Sequence, residues 1–498
     1  MIKTITILGG GTAGLISALM LRATYPKLKI TVIESSQYGV VGVGEGSTEH
    51  WAGFMALAKI NITDLVRETG ATYKTGIRFE NWHGDNTEFW HSLGDIISYQ
   101  DPDNGIYAPM MKHIVDGKDP LLTVLPASLE SKHAQPFDKT VHQYHFDTNK
   151  LNVFFHKLCN ERNIKVIDDI VNDVIIKDGV VKSLVGEKES YTADFFIDSS
   201  GFRKVINSKL GTKWIDCEKY LPMNSAIAAQ TPYLEDIPSH TLAKALSTGW
   251  MWRIPTQDRF GNGYVYCDKF ISDEDAEKEF QSQFDHDVTI GKKFKFSAGY
   301  VDKFWTSNCV SVGLAGMFVE PLEASSIGFT IQQMFSFCAN ILHWSDSNDL
   351  PAKEYNKQLS LCAENIISFV QIHYLTERND SEFWKWASNN ITLTDFNQET
   401  LSSFEKSFPT RASFNKPWLM FKELNWLQTM HGLRLFNNDA IQTLWSENLS
   451  HLDINITGYW EQLNYDVSQI EYVPHRTALN ELAKEGASIM AWRENIKI

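Results

Sequence analysis

The stretch Thr4-Ile5-Thr6-Ile7-Leu8-Gly9-Gly10-Gly11-Thr12-Ala13-Gly14-Leu15 decides how this chain begins to fold. Thr4 to Leu8 reads as a short buried strand. Gly9, Gly11 and Gly14 satisfy G-x-G-x-x-G, and Leu15 to Ala23 continues as a helix. A second strand, Lys29 to Ile33, ends on Glu34, twenty residues after the last glycine. In a dinucleotide-binding fold that spacing places a carboxylate on a ribose hydroxyl. The glycines permit a tight turn and close backbone approach, and the helix N-terminus offers free N–H groups to a pyrophosphate. Gly9, Gly11, Thr12, Ala13, Gly14 and Glu34 are therefore expected at a cofactor.

The motif alone does not separate FAD from NAD. Two later segments favour FAD. Val41-Gly42-Val43-Gly44-Glu45-Gly46-Ser47-Thr48 is a second glycine-rich loop, able to pass close beneath a flavin. Far downstream, Phe195-Phe196-Ile197-Asp198-Ser199-Ser200-Gly201 reads as a strand ending in small polar residues. Such discontinuous returns suit flavoproteins that wrap FAD with distant parts of the chain. A second G-x-G-x-x-G for NAD(P)H is missing, so a separate NAD(P)H-dependent flavin reductase is the expected partner.

The bulk numbers narrow the class. A chain of 498 residues is too large for one core and suggests two or three lobes. With 43% apolar and 21% charged residues it is globular in composition. Its 15 Trp, 17 Tyr and 29 Phe suit a holder of planar ligands, although most will fill cores. A formal charge of −15 argues against nucleic acid as a partner. Cys159, Cys217, Cys267, Cys309, Cys338 and Cys362 are scattered, with neither C-x-x-C pairs nor zinc spacing. They read as reduced thiols of a cytoplasmic protein. The apolar run Ile5 to Leu8 leads into glycines rather than a cleavage site, and no run suits a bilayer span, so no membrane role is expected.

Trp250-Met251-Trp252-Arg253-Ile254-Pro255 matches W-x-W-x-I-P, and on this motif the chain resembles the flavin-dependent halogenases, best known from the tryptophan halogenases. Gly42 to Glu45, His145-Phe146-Asp147, Asn308-Cys309-Val310, Glu320 to Glu323 and His373 to Arg378 are also similar to family segments. The resemblance covers roughly residues 1–390 and thins beyond them. It adds Gly42, Val43, Gly44, Glu45, Asp198, Gly313 and Ile327 to the expected cofactor contacts. It also places Lys74 on the family's catalytic lysine and Glu323 on its catalytic glutamate. The implied chemistry is oxidation of a halide with reduced FAD and O2, giving a hypohalous acid that reaches Lys74 and halogenates an aromatic ring. The family's halide site falls on the backbone of Ser325 and Ser326. Many relatives have Ser-Thr-Gly where this chain has Ala324-Ser325-Ser326, which leaves chloride, bromide and iodide all open.

The residues support that chemistry on their own terms. A partly buried ammonium can donate hydrogen bonds to a hypohalous acid, or be N-halogenated if burial lowers its pKa. A carboxylate can polarise the oxidant and accept the ring proton. Taken alone, either residue reads as a solvated surface charge. Trp250 and Trp252, at i and i+2, share one face of a strand and read as packing rather than as reagents.

On the substrate side, Phe89-Trp90-His91-Ser92-Leu93-Gly94 is similar to the segment that sandwiches indole in tryptophan halogenases. His91 falls on a substrate-side histidine, and Leu93 replaces a stacking aromatic. The segments that grip the amino acid's ammonium and carboxylate find no match. A smaller indole, phenol or similar arene is thus expected over free tryptophan.

The expected fold is α/β, with a Rossmann-like, box-shaped FAD domain of the GR2 monooxygenase type from residues 1–50, 140–215 and 300–345. Residues 51–139, 216–299 and 346–498 would form a mainly helical substrate lobe. Strands at 164–168, 173–176 and 180–185 suggest a βαβ element followed by an antiparallel meander. The rival readings are a flavin monooxygenase that hydroxylates an arene and a flavin-binding protein without catalysis. A homo-oligomer is compatible with the sequence.

Overall fold

The computed structural model describes residues 2–39, 45–92, 107–118, 143–232, 237–345, 347–409, 411–414, 416, 418–452, 458, 461–462, 465 and 474–484. Two compact units form from discontinuous segments: residues 1–71, 146–219 and 296–364 in the first, and 72–145, 220–295 and 365–498 in the second.

The first unit is built on the opening strand. Thr4–Leu8 pairs in parallel with Lys29–Glu34 on one side and Phe195–Asp198 on the other. Lys165–Asp168 and Cys309–Ser311 extend the sheet in parallel, and Trp305–Thr306 closes one edge antiparallel. Parallel strands need covered faces, which is why Ile5, Ile7, Val32, Phe196 and Ile197 are all buried. Helix Thr12–Thr24 connects the first two strands, and its residues Gly14 to Leu21 are buried without a break. Val171–Lys177, Val180–Gly186 and Ser190–Tyr191 make the antiparallel meander. Its register is tied by Asn308, whose Oδ1 accepts from the Val181 N–H at 2.9 Å while its amide donates to the Val181 carbonyl at 3.0 Å.

The second unit carries more sheet than the sequence suggested. Seven strands run in the order Ile290–Lys295, Ser225–Pro232, Arg259–Tyr266, Gly249–Pro255, His240–Ala245, Gly76–Glu80, Glu88–Ser92. All pairs are antiparallel except His240–Ala245 with Gly76–Glu80. The central strands are buried along nearly their whole length, so they lack the polar–apolar alternation that marks a one-sided strand. The unit's helices include Tyr107–Val115, Asp273–Gln281, Glu382–Asn390, Asp395–Phe404, Glu423–Gly432, Asn438–Leu444 and His475–Lys484.

The strand holding Trp250 to Pro255 lies inside this sheet. Trp250 and Trp252 are buried with ring centroids 6.0 Å apart, and Trp252 stands opposite Gly263 on the neighbouring strand. A Cβ at Gly263 would lie 2.0 Å from the Trp252 ring, so the indole occupies the space a side chain would take. Further along, Trp82 and Trp384 pack edge to face at 5.9 Å. Their indole N–H groups donate to the Ala243 and Leu246 carbonyls, at 3.0 and 2.8 Å.

Candidate active site

The cofactor cradle follows from its glycines. Gly9 has φ +113°, and a Cβ there would fall 2.2 Å from the Ser199 carbonyl oxygen. A Cβ at Gly14 would fall 1.9 Å from the Gly9 oxygen. Both glycines are required by close backbone packing. Gly10 serves a purpose that the G-x-G-x-x-G pattern does not name. Its missing side chain admits Glu34, whose Oε2 occupies that space and lies 3.2 Å from His156 Nε2.

Gly11 differs. A Cβ there would meet nothing within 4 Å. Gly11 caps helix Thr12–Thr24 with extended backbone and no side-chain hydrogen bond, so the N–H groups of the first turn have no side-chain cap. Open space against an uncapped N-terminus is what a pyrophosphate needs, and the residues present fit FAD on that ground. Thr12 donates to Asn152 Oδ1 at 3.1 Å, while Ala13 lies beneath Gly313, which has φ +58°. The Gly313 N–H donates to Gln333 Oε1 at 3.3 Å.

Asp198 is buried, and each of its oxygens already accepts two hydrogen bonds. Oδ1 takes the Ser200 N–H and hydroxyl, and Oδ2 takes the Ile206 and Asn207 N–H groups. Its carboxylate shapes the turn after Phe195–Asp198, while burial pushes its pKa up. Burial also pushes the half-buried Glu45 carboxyl up to about 7. Gly42, Val43, Gly44 and Leu93 lie outside the described residues.

In the same unit, Pro321–Glu323 forms a short 3-10 turn that buries Glu323 to 2% exposure. Ala324 then adopts a left-handed conformation, φ 52° and ψ 32°, and caps the 17-residue helix Ser325–Ile341 without a side-chain hydrogen bond. Ser325 and Ile327 are buried and Ser326 is exposed. The first-turn N–H groups of this helix carry partial positive charge suited to an anion.

Lys74 belongs to the second unit and is 1% exposed, at the end of strand Thr72–Lys74. Thr72, Tyr73 and Lys74 pair antiparallel with His145, Tyr144 and Gln143. Thr72 Oγ1 donates to the Pro255 carbonyl at 2.8 Å, which ties this strand to the end of the Trp250–Pro255 motif. The same oxygen then accepts from His145 Nδ1 at 3.2 Å, and His145 Nε2 accepts from the Thr241 hydroxyl at 2.8 Å. Burial, then the charge of Lys74, hold His145 well below the usual histidine range. The Tyr73 N–H donates to His475 Nε2 at 3.0 Å, and His475 Nδ1 donates to the Ile237 carbonyl at 3.1 Å. Burial lowers His475 to about 4 and His240 to about 3. Lys74 thus sits in a neighbourhood whose histidines stay neutral at pH 7.

His91 is buried on strand Glu88–Ser92, with Nε2 3.0 Å from Asn425 Nδ2 and its ring edge-on to Phe369 at 5.5 Å. The adjacent Ser92 N–H donates to Gln428 Oε1 at 2.8 Å, so helix Glu423–Gly432 anchors this segment twice. Sequence reasoning missed Asn425, His240 and His475 as neighbours of the site. His145 stood in a quoted motif without a role, and His475 follows Val473-Pro474 with no spacing signal.

The tryptophan halogenase family model matches residues 4–445. The chain belongs to the tryptophan halogenase family. Among curated relatives, this halogenase is 30% identical over 417 residues to the 7-chloro-L-tryptophan 6-halogenase of Kutzneria sp. (strain 744), covering 76% of this chain and 80% of the relative. It is 28% identical over 453 residues to the tryptophan 7-halogenase of Lentzea aerocolonigenes, covering 82% and 83%. A flavin-dependent halogenase from Xanthomonas campestris superposes with TM-score 0.84 at 26% identity, covering 97% of this chain and 98% of that one. A tryptophan halogenase from Shewanella frigidimarina gives TM-score 0.89 at 23% identity over 97% and 98%, a likeness of fold.

The family makes this chain an enzyme, a flavin-dependent halogenase that uses FAD and O2, and favours halogenation over the monooxygenase reading. The fold is the mixed α/β, FAD-binding Rossmann-like one expected. No helix among the described residues is long and apolar enough to cross a membrane.

Proposed function

We propose that this halogenase transfers chlorine, bromine or iodine to an electron-rich indole, phenol or similar free arene, with Lys74 and Glu323 as its catalytic residues. The observation that carries the reading is a lysine 1% exposed on a strand hydrogen-bonded to the last residue of the Trp250–Pro255 motif. Burying a lysine side chain is costly unless its amine is paired, hydrogen-bonded or neutralised, so a fully buried one is a candidate for chemistry. Bound and reduced, FAD supplies with O2 the oxidising power that turns halide into hypohalous acid.

Gly9, Gly11, Thr12, Ala13, Gly14, Glu34, Gly42, Val43, Gly44, Glu45, Asp198, Gly313 and Ile327 would hold or frame the cofactor. The backbone N–H groups of Ser325 and Ser326 would receive the halide at the uncapped helix end. Lys74 donates a hydrogen bond from Nζ to the hypohalous acid and orients its halogen toward the ring. The Glu323 carboxylate accepts the proton that leaves the halogenated carbon. His91, held by Asn425, and Leu93 would border the arene. Reduced FAD would come from a separate NAD(P)H-dependent reductase in the cytoplasm. The relatives named above act on tryptophan and 7-chlorotryptophan, so tryptophan belongs in the substrate panel beside simpler indoles and phenols.

The deciding experiment compares wild type with Lys74→Ala, using a reductase, bromide and an arene panel read by mass spectrometry. Halogenation should fall by about a thousandfold or more, with FAD affinity unchanged. Retained halogenation in Lys74→Ala would refute the assignment.

A further inference from the structure

We propose that His475 is a positioning residue of the halogenation site, holding the backbone of Tyr73 so that the adjacent Lys74 ammonium stays in working position. The proposal rests on the reading of Lys74 as the halogenating residue. His475 lies beyond residue 445, where the family match ends, so the family pattern assigns it nothing.

The geometry is that of a clamp with a fixed polarity. The Ile237 carbonyl accepts from Nδ1 at 3.1 Å, which places the ring proton on Nδ1 and leaves Nε2 an acceptor for the Tyr73 N–H at 3.0 Å. The imidazole also stacks on the Tyr73 ring, with centroids 5.6 Å apart and planes 20° from parallel. Protonation would abolish the acceptor, and burial keeps the ring neutral. Next along the helix, Arg476 donates to the Gln257 carbonyl at 2.8 Å, two residues past the Trp250–Pro255 motif. Leu479 and Leu482, buried at 2% and 5%, anchor the same helix, His475–Lys484. The strand is gripped from its far side too, where the Thr75 N–H and hydroxyl both donate to the Ser239 carbonyl, at 2.6 and 3.0 Å. His475 supplies the grip on the residue just before Lys74, through a side chain that can be replaced without altering the strand itself. A small displacement of a reacting group is enough to lower a rate by about a hundredfold.

The two bonds can be separated by amide substitutions. His475→Gln keeps a carbonyl oxygen at about the reach of Nε2, whereas His475→Asn keeps an amide donor near Nδ1 and ends short of Tyr73. Full-length variants would be assayed with a flavin reductase, bromide and indole as the probe arene. Halogenated indole and hypobromite escaping to a diketone trap would be measured together.

His475→Ala should lower kcat for the arene about tenfold or more. Its KM should change little, and the oxidant should be diverted into the trap. His475→Gln should recover most of the coupling and His475→Asn should not. Arg476→Ala, which spares the Tyr73 bond, should keep the wild-type partition between arene and trap. Unchanged partition in His475→Ala, or rescue by Asn and not by Gln, would overturn the proposal. If the alanine variant does not fold, the Gln and Asn pair still decides. Full activity in Lys74→Ala would instead sink the functional reading itself, whatever His475 does.

Discussion

The glycine cradle of the first unit and the Lys74 strand of the second are built by opposite means. The cradle is made by leaving side chains out: Gly9 and Gly14 let backbone meet backbone, Gly10 admits Glu34, and Gly11 keeps space clear. The Lys74 neighbourhood is made by bringing side chains in, from Thr72, His145, Thr241 and His475. A site made of absences tolerates no added atom where backbone meets backbone, at Gly9 and Gly14, and keeps clear space at Gly11. One made of convergent side chains is set by tertiary folding and is sensitive to protonation.

The sharpest way to break this contrast is at Gly9. Gly9→Ala adds a Cβ 2.2 Å from the Ser199 oxygen at a positive φ, and should lower stability by about 3–5 kcal/mol. Chemical denaturation of the FAD-free protein measures it, and a loss below about 1 kcal/mol would show that the cradle can relax.

The next effect belongs to the other region and depends on pH. His475 titrates at 6.5 unfolded and about 4 folded, so the unfolded chain binds the proton more tightly. The stability held by the neutral ring is complete above pH 6.5 and is lost as pH falls toward 4, roughly 3 kcal/mol in all. His145 and His240 act in the same direction. Denaturation midpoints should fall with acid across that window, and His475→Gln should flatten the slope. An equal slope in the variant would mean that the ring is not held neutral by the fold.

The smallest effect separates folding from binding within the cradle. Gly11→Ala should cost the FAD-free protein no more than about 1 kcal/mol, because its Cβ meets open space. FAD affinity should nevertheless drop about tenfold, since the added methyl enters the volume assigned to the pyrophosphate. Calorimetric titration with FAD that finds no loss would move the phosphate away from Gly11.

These differences explain what could be read from the chain. The strand–glycine–helix–strand start was legible because its determinants lie within thirty-one residues, Thr4 to Glu34. The strands at Lys165–Asp168, Val171–Lys177 and Val180–Gly186 were legible for the same local reason. The seven-stranded sheet was not, since strands buried on both faces lose the two-residue period that betrays them. Nor were the contacts of the strand that carries Lys74: Tyr73 and His475 are 402 residues apart, and only folding makes them neighbours. Asn425 and His91, 334 residues apart, illustrate the same point. Asp198 was legible as part of a returning strand, but its four donors were not, so its carboxylate looked freer than it is.

One contact in the second unit governs alignment rather than chemistry. The Trp252 indole fills the place of the side chain that Gly263 lacks, across the hairpin of strands Gly249–Pro255 and Arg259–Tyr266. A slip by two residues in one direction would drive the ring into the side chain of Val265, and a slip by one would send it to the opposite face of the sheet. A missing atom therefore helps to index the hairpin. In this chain the second tryptophan of Trp250–Pro255 has its counterpart eleven residues downstream, as an empty position that a motif search has no letter to reward.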